Sequence, residues 1–309
     1  MDKKKVLIFG SNGLVGKSLN RVLNKSDKIS EIIPSTRNDT NLFSFIETKN
    51  TIEKVKPDLI INAAAKVGGI YANNTLRSDF IIENLKINMN ILEACINYEE
   101  IEIINLGSSC IYPLNAENPI KEESLLTGKL EPTNSPYALA KITAIEIGKS
   151  LKLQYGHKIL NLMPTNLYGP GDNFSETESH VIPGLISRMH KAKELNQETF
   201  PIWGSGLPLR EFLFVDDLSY AIEFLINKNT NEDLLNIGSG VEISILELSE
   251  LIKKTIGYSG KLTFDKSMPD GNPRKLIDSS KIMNLGWKPK VELQEGINLS
   301  YQWFLDNKV

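Results

Sequence analysis

The sequence predicts an α/β protein built on a doubly wound parallel sheet, joined to a smaller mixed α/β lobe. Three observations predict it. Short apolar runs alternate with longer amphipathic stretches through the first half, a glycine-rich turn follows the first run, and chemically distinctive residues gather just beyond the run ends. Buried strands joined by helices form parallel sheets covered on both faces, and such sheets bind ligands at the carboxyl ends of their strands.

The elements justify themselves in order. Val6–Phe9 is a strand of four apolar residues, broken by Gly10, Ser11 and Asn12. Lys3-Lys4-Lys5 before it gives a faint likeness to a secretory leader, but a leader needs an apolar stretch of about 7–15 residues. Leu14–Asn24 has helical periodicity, Ile29–Ile33 reads as the second strand, and Leu42–Val55 as the second helix. Strand Asp58–Asn62, helix Leu76–Tyr98, strand Ile101–Leu106, helix Pro136–Tyr155 and strand Lys158–Met163 complete the alternation. Pro136 suits the first turn of its helix, where no amide proton is missed. Beyond about residue 165 Pro and Gly become frequent and the alternation loosens. The expected organisation is therefore interleaved, with 1–165 and 210–238 in one lobe and 166–209 and 239–309 in the other.

Bulk composition excludes several classes. With 35 basic and 38 acidic residues the formal charge is −3, which offers no attraction to nucleic acid or to an anionic membrane. No run approaches the roughly 18 apolar residues of a membrane-spanning helix. Two cysteines in 309 residues are too few for a disulfide framework, so a reducing cytoplasm is expected, and no metal site.

Gly10-Ser11-Asn12-Gly13-Leu14-Val15-Gly16 follows the first strand and opens the first helix. Glycines there permit a tight turn and bring a pyrophosphate against free amides at the helix N-terminus, the arrangement of a Rossmann-type dinucleotide site. An acid about 20 residues further on would bind the ribose of NAD. Here the second strand ends in Ser35-Thr36-Arg37. A guanidinium at that place suits a 2′-phosphate and hence NADP(H); the competing reading leaves Arg37 in solvent and gives the ribose to Asp39.

Tyr137 and Lys141 are four residues apart at the start of a helix and so share a face. A phenol, with ordinary pKa near 10, transfers protons at neutral pH only beside a group that stabilises its anion, such as an ammonium. By itself the pair is a common surface pattern. Gly107-Ser108-Ser109-Cys110 ends a strand beside the expected cofactor, where a serine hydroxyl can bind a carbonyl alongside the tyrosine.

With these motifs in place the chain resembles the extended short-chain dehydrogenase/reductases, and among them the enzymes that epimerise and reduce GDP-linked 4-keto-6-deoxy sugars. The resemblance spans essentially the whole chain, through Ala63–Ile70, Gly107–Pro113, Glu131–Ala138, Met163–Pro170, Ser179–Pro183, Trp203–Gly206 and Arg210–Asp217. It implies that Ser108, Tyr137 and Lys141 form the reductase centre. Cys110 and His180 would be the acid–base pair that inverts the two carbons beside the ketone; with reference pKa values near 8.5 and 6.5 they divide that work around neutrality. Around the NADP(H), contacts are implied for Gly10 to Gly16, for Arg37, Asn38, Asp39, Asn41 and Leu42, and for Leu106, Gly107, Ser108 and Ser109. Lys141, Pro164, Thr165, Asn166, Leu167 and His180 complete that set. Arg188, Trp203, Arg210 and Asp270 would hold the substrate's nucleotide; a tryptophan such as Trp203 serves equally well as a packing anchor. The resemblance implies a homodimer through helices 76–98 and 136–155. One departure concerns Asn12, which stands where better-known members carry a basic residue, leaving the NADP assignment mainly to Arg37. Cys95, inside an amphipathic stretch, is read as packing.

Other readings stay open at this point: a C4-reductase of another GDP-linked keto sugar such as a heptose, an isomerase or dehydratase that recycles a bound nicotinamide, or a regulator without activity. Arg37 speaks against the second, and retention of both Tyr137 and Lys141 against the third.

Overall fold

In the computed structural model, residues 2–175, 179–228, 230–268 and 270–307 are described. In chain order the elements begin β1 (Lys4–Phe9), α1 (Leu14–Leu23), β2 (Ile29–Ser35), α2 (Phe45–Val55), β3 (Leu59–Asn62), α3 (Ile70–Thr75), α4 (Arg77–Ala94), β4 (Glu102–Leu106) and α5 (Ser135–Tyr155). They continue with β5 (Ile159–Pro164), β6 (Asn166–Tyr168), α6 (Val181–Glu194), β7 (Thr199–Trp203), β8 (Leu209–Phe214), α7 (Val215–Leu225), β9 (Leu234–Ile237), β10 (Glu242–Ser244), α8 (Ile245–Ile256), β11 (Lys261–Asp265), β12 (Arg274–Lys275), α9 (Ser280–Asn284) and α10 (Leu293–Asn307).

The alternating apolar runs make a six-stranded sheet in the order β2-β1-β3-β4-β5-β9, parallel throughout. The chain steps from β1 outward to β2, then crosses back to β3 on the other side of β1. That reversal opens a crevice beyond the strand ends, where α/β sheets take ligands. The apolar runs of β1, β3, β4, β5 and β9 are buried, as such runs in a covered parallel sheet require, whereas the edge strand β2 is partly exposed. Val6, Ile8, Leu59 and Ile61 pack towards α1 and α7 in one core cluster, whereas Leu7, Phe9 and Ile60 pack towards α2, α4 and α5 in another.

Two helices differ from the sequence expectation by more than one residue at a boundary. The second helix begins at Phe45, not Leu42, because the Ser44 hydroxyl accepts from the Glu47 amide and caps the helix there. The long helix expected over 76–98 is preceded by the short α3, with Leu76 (φ −105°, ψ 38°) as the break, and ends at Ala94. Tyr98 then folds back so that its hydroxyl donates to Glu53 at 2.7 Å.

The later strands form a second arrangement, in which β8 lies between β10 and β12 and also pairs with β6, while β7 pairs with β11. Ile182, Leu185, Ile186 and Met189 of α6 pack there with Leu248 and Ile252 of α8 and Ile297 and Phe304 of α10. Glu211 of β8 is fully buried; its carboxylate accepts from the Gly240 amide at 2.7 Å and the Ile277 amide at 3.2 Å. Its carbonyl accepts from Thr165 and Asn166 just beyond β5. One residue thus ties the end of the parallel sheet to two loops of the second arrangement.

Candidate active site

The glycine turn has the geometry its spacing predicts. Gly10 adopts φ +80°, and a side chain there would run into the Ala64 backbone, while one on Gly16 would strike the Gly10 carbonyl oxygen. Gly13 is the N-cap of α1 and supplies no side-chain cap, so the first amides of the helix remain available to an anion. The Ser11 hydroxyl is buried without a hydrogen-bond partner in the protein. Beyond the turn, a cavity is lined by Gly10, Asn12, Gly13, Thr36, Arg37, Asn41, Leu42 and Ala63 to Ala65. Arg37 is exposed there, 5.9 Å over the Phe43 ring. Asp39, the competing ribose acceptor, is turned to another purpose: its carboxylate accepts from the Thr36 amide at 2.8 Å and the Thr36 hydroxyl at 2.6 Å. Those bonds draw its pKa below the usual carboxylate range. Asn38 is exposed beside them.

At the end of β4 the chain enters a single turn of 3₁₀ helix over Ser109–Ile111, with Ser108 as its cap: the Ser108 oxygen accepts from the Cys110 amide at 3.2 Å. Facing it, α5 begins with Pro136 in its first turn and presents Tyr137 and Lys141 on one side. Both are buried, at 9% and 2% exposure. Loss of solvation is the main influence on both. It pushes the Tyr137 pKa up, with the nearby Cys110 adding to the rise and a Ser108 hydrogen bond opposing it. It pushes the Lys141 pKa down to about 8. The ammonium nitrogen donates to the Leu106 carbonyl at 2.7 Å and lies 5.8 Å from the tyrosine ring centre. Ser108, Cys110, Tyr137 and Lys141 are thus brought together beside Gly107, as their motifs predict. Pro164 ends β5, the neighbouring strand, and Thr165 to Leu167 follow directly from it into β6.

His180 caps the N-terminus of α6 with no side-chain cap bond. Solvent reaches the residue, yet the surrounding protein crowds the ring enough for desolvation to lower its pKa. It is not hydrogen-bonded to Cys110. The four residues assigned to a nucleotide also gather. Arg188 stacks 4.2 Å over the Trp203 ring, and Trp203 is 40% exposed, too open for a packing anchor. Asp270 accepts from the Ser205 amide at 2.7 Å, and Arg210 donates to the Asp270 carbonyl at 3.1 Å.

Two neighbours of Cys110 were missed by sequence reasoning. The Asn134 amide nitrogen lies 3.7 Å from the Cys110 sulfur, and the Lys275 ammonium lies 3.4 Å from it. Asn134 belongs to a stretch already marked as distinctive, so a signal existed; Lys275, 165 residues away, carried none. Cys95 is fully buried, and burial raises its thiol pKa to about 12.

Comparison with known proteins agrees with this geometry. Residues 6–238 match the model of the NAD dependent epimerase/dehydratase family. GDP-L-fucose synthase 1 of Arabidopsis thaliana is 45% identical over 303 residues, covering 98% of this chain and 94% of that protein. The solved structure of a GDP-L-fucose synthetase from Naegleria fowleri bound to NADP superposes with a TM-score of 0.90 at 28% identity, covering 100% of this chain and 96% of that one. A GDP-6-OMe-4-keto-L-xylo-heptose reductase from C. jejuni reaches a TM-score of 0.91 at 30% identity over 99% and 98%. On the family match and the near-complete coverage of its relatives, the chain belongs to the NAD dependent epimerase/dehydratase family and groups within it with the GDP-L-fucose synthases.

Proposed function

We propose that this protein converts GDP-4-keto-6-deoxy-D-mannose to GDP-L-fucose, inverting C3 and C5 and reducing C4 at the expense of NADPH. The observation that carries this reading is the cluster of Ser108, Cys110, Tyr137 and Lys141 at the end of β4. A reductase alone would need no cysteine there. NADPH, when bound, supplies the hydride for C4. The orphan Ser11 hydroxyl, the uncapped α1 N-terminus and the glycines without room for a side chain fit its pyrophosphate. Arg37 is the group suited to its 2′-phosphate, since Asp39 is engaged by Thr36.

The chain's own residues then divide the work. Cys110 and His180 exchange protons with C3 and C5, which the neighbouring ketone acidifies. Ser108 and Tyr137 bind the C4 oxygen. Tyr137, held as the neutral phenol by burial, gives that oxygen its proton, and the Lys141 cation stabilises the phenolate left behind. Arg188, Trp203, Arg210 and Asp270 are assigned to the GDP moiety; stacking on the exposed Trp203 face suits a base, and a guanidinium fork suits the pyrophosphate.

Residues 1–165 with 210–238 are proposed as the cofactor lobe, and 166–209 with 239–309 as the nucleotide-sugar lobe. A homodimer through α4 and α5 is proposed as well. Ile82 and Met89 on α4 and Leu139 and Leu153 on α5 are exposed apolar residues in favour of it. No described helix is long and apolar enough to cross a membrane; the reading places the protein in the cytoplasm.

The decisive experiment offers GDP-4-keto-6-deoxymannose and its heptose counterpart, each with NADPH in deuterated water, and identifies the products by NMR. GDP-L-fucose carrying deuterium at C3 and C5 is the expected result. Reduction of the heptose alone, or reduction without exchange, would replace this reading by the C4-reductase one.

A further inference from the structure

The last part of the chain sends one cation into the cleft with unusual care. Lys275 sits on the short strand β12, whose parallel pairing to β8 sets Arg274 beside Leu209 and Lys275 beside Arg210. Its neighbours are fastened on every side. The Leu276 amide donates to the Asn118 side chain at 2.8 Å, the Leu276 carbonyl accepts from the Ile120 amide at 2.8 Å, and the Asp278 amide donates to the Ile120 carbonyl at 2.8 Å. The Ile277 amide donates to the buried Glu211 carboxylate, and Arg274 pairs with Glu242 at 2.8 Å. Five contacts around one lysine fix its backbone. The ammonium itself forms no ion pair with a carboxylate among the described residues; its hydrogen-bond partner is the Cys110 sulfur at 3.4 Å.

Resting on the functional reading above and deepening it, we propose that Lys275 is the positioning residue for the epimerisation step, pairing its ammonium with Cys110 so that the cysteine works as a thiolate base. A thiolate is the nucleophilic and basic form of cysteine, and a nearby cation favours it over the thiol. The Asn134 amide nitrogen, 3.7 Å from the same sulfur, is the second donor. The other titratable groups about Cys110 are Tyr137 on α5, with Lys141 one turn behind it, and Glu131 in the loop that carries Asn134. Tyr137 is a neutral phenol, and the Glu131 carboxylate is engaged by the Thr133 hydroxyl and the Asn134 amide. Lys275 is therefore the cation in direct contact with the sulfur.

The proton balance is simple. The thiol proton leaves to solvent when the pair forms. The thiolate then takes a proton from the carbon beside the ketone: an S–H bond forms, the C–H bond breaks, and its electron pair moves into the enolate oxygen. Protonation of that carbon from the opposite face completes the inversion, and the thiol returns its proton to solvent. Lys275 keeps its three protons throughout.

Alkylation by iodoacetamide tests this without any sugar, so its outcome is independent of substrate identity. Cys95 is fully buried, so labelling of the native protein reports Cys110, with Cys110→Ser as the blank. Free thiols titrate near pH 8.5. Wild type should reach half-maximal reactivity at least one unit lower, Lys275→Met should move the midpoint back up and cut labelling at pH 7 by about tenfold, and Lys275→Arg should hold it near wild type. In parallel, Lys275→Met should slow deuterium entry at C3 and C5 far more than it weakens NADPH binding. A wild-type midpoint at or above 8.5 would overturn the pairing, and needs no variant that folds; so would an unchanged midpoint in Lys275→Met. If the midpoints move as expected while wild type exchanges no deuterium, the pair stands and the epimerase reading falls.

Discussion

Tyr137 is useful because it is buried and yet not isolated. The same desolvation that keeps its proton in place depresses Lys141 to about 8, so the ammonium is poised close to working pH while the phenol stays protonated until its anion is needed. Tyr137→Phe leaves this packing intact and removes only the transferable proton. NADPH oxidation with the keto sugar should fall by about 10²–10⁴-fold, with NADPH affinity, read by fluorescence titration, unchanged; full activity would sink the proposed mechanism. Asp172 makes a different residue-scale prediction. Burial raises its pKa to about 7, and one carboxylate oxygen has no hydrogen-bond partner. Its folded pKa lies above the unfolded value of 3.8, so the folded state binds the extra proton between those values, and stability falls as pH rises from about 4 to 7. Asp172→Asn should therefore melt at the same temperature as wild type near pH 4 and at a higher one above pH 7. An equal difference at both pH values would show that the carboxylate is solvated in the folded state.

Among the elements, β3, β4 and β5 carry a feature that apolar patterning hides. Asn62, Asn105 and Asn161 stand opposite one another in register, all buried. Asn62 donates to Asn105 at 2.9 Å and to Asn88 of α4 at 3.1 Å, while Asn105 donates to Asn161 at 3.2 Å. The row runs across the sheet one residue before Leu106, whose carbonyl holds Lys141. Breaking its centre with Asn105→Ala strands two buried amide groups, each costing about 1–3 kcal/mol. Urea unfolding should show a loss of about 2–5 kcal/mol, and a loss under 1 kcal/mol would mean the row is not cooperative. The strands themselves could be read from their apolar runs, because burial on both faces demands such runs. The asparagines within them gave no hint of their pairing, since register is set by the whole sheet. Helix ends shifted where Ser44 and Leu76 decided them, local capping that periodicity does not report.

At the scale of the molecule, the nucleotide turn, Ser108 and the Tyr137–Lys141 pair could be recognised because each is a local motif at a strand end or helix start. Lys275 and Glu211 could not, because their partners are distant in sequence and meet only through β8 and β12. The proposed dimer belongs to this scale too. Ile82→Glu combined with Leu139→Glu places charge in the α4–α5 face and should shift a dimer to monomer in sedimentation velocity; a persistent dimer would move the interface elsewhere. The order in which the parallel sheet closes has its own consequence. Strand β5 pairs with β4 on one side, but its other side is covered only by β9, some 70 residues later. During synthesis the sheet emerges with an open edge at Leu162 and Met163 that stays unpaired until residue 237 has been made. Such an edge invites pairing with another chain, so the long excursion through α6, β7 and β8 prolongs the time in which a nascent molecule is vulnerable to its neighbours on the ribosome.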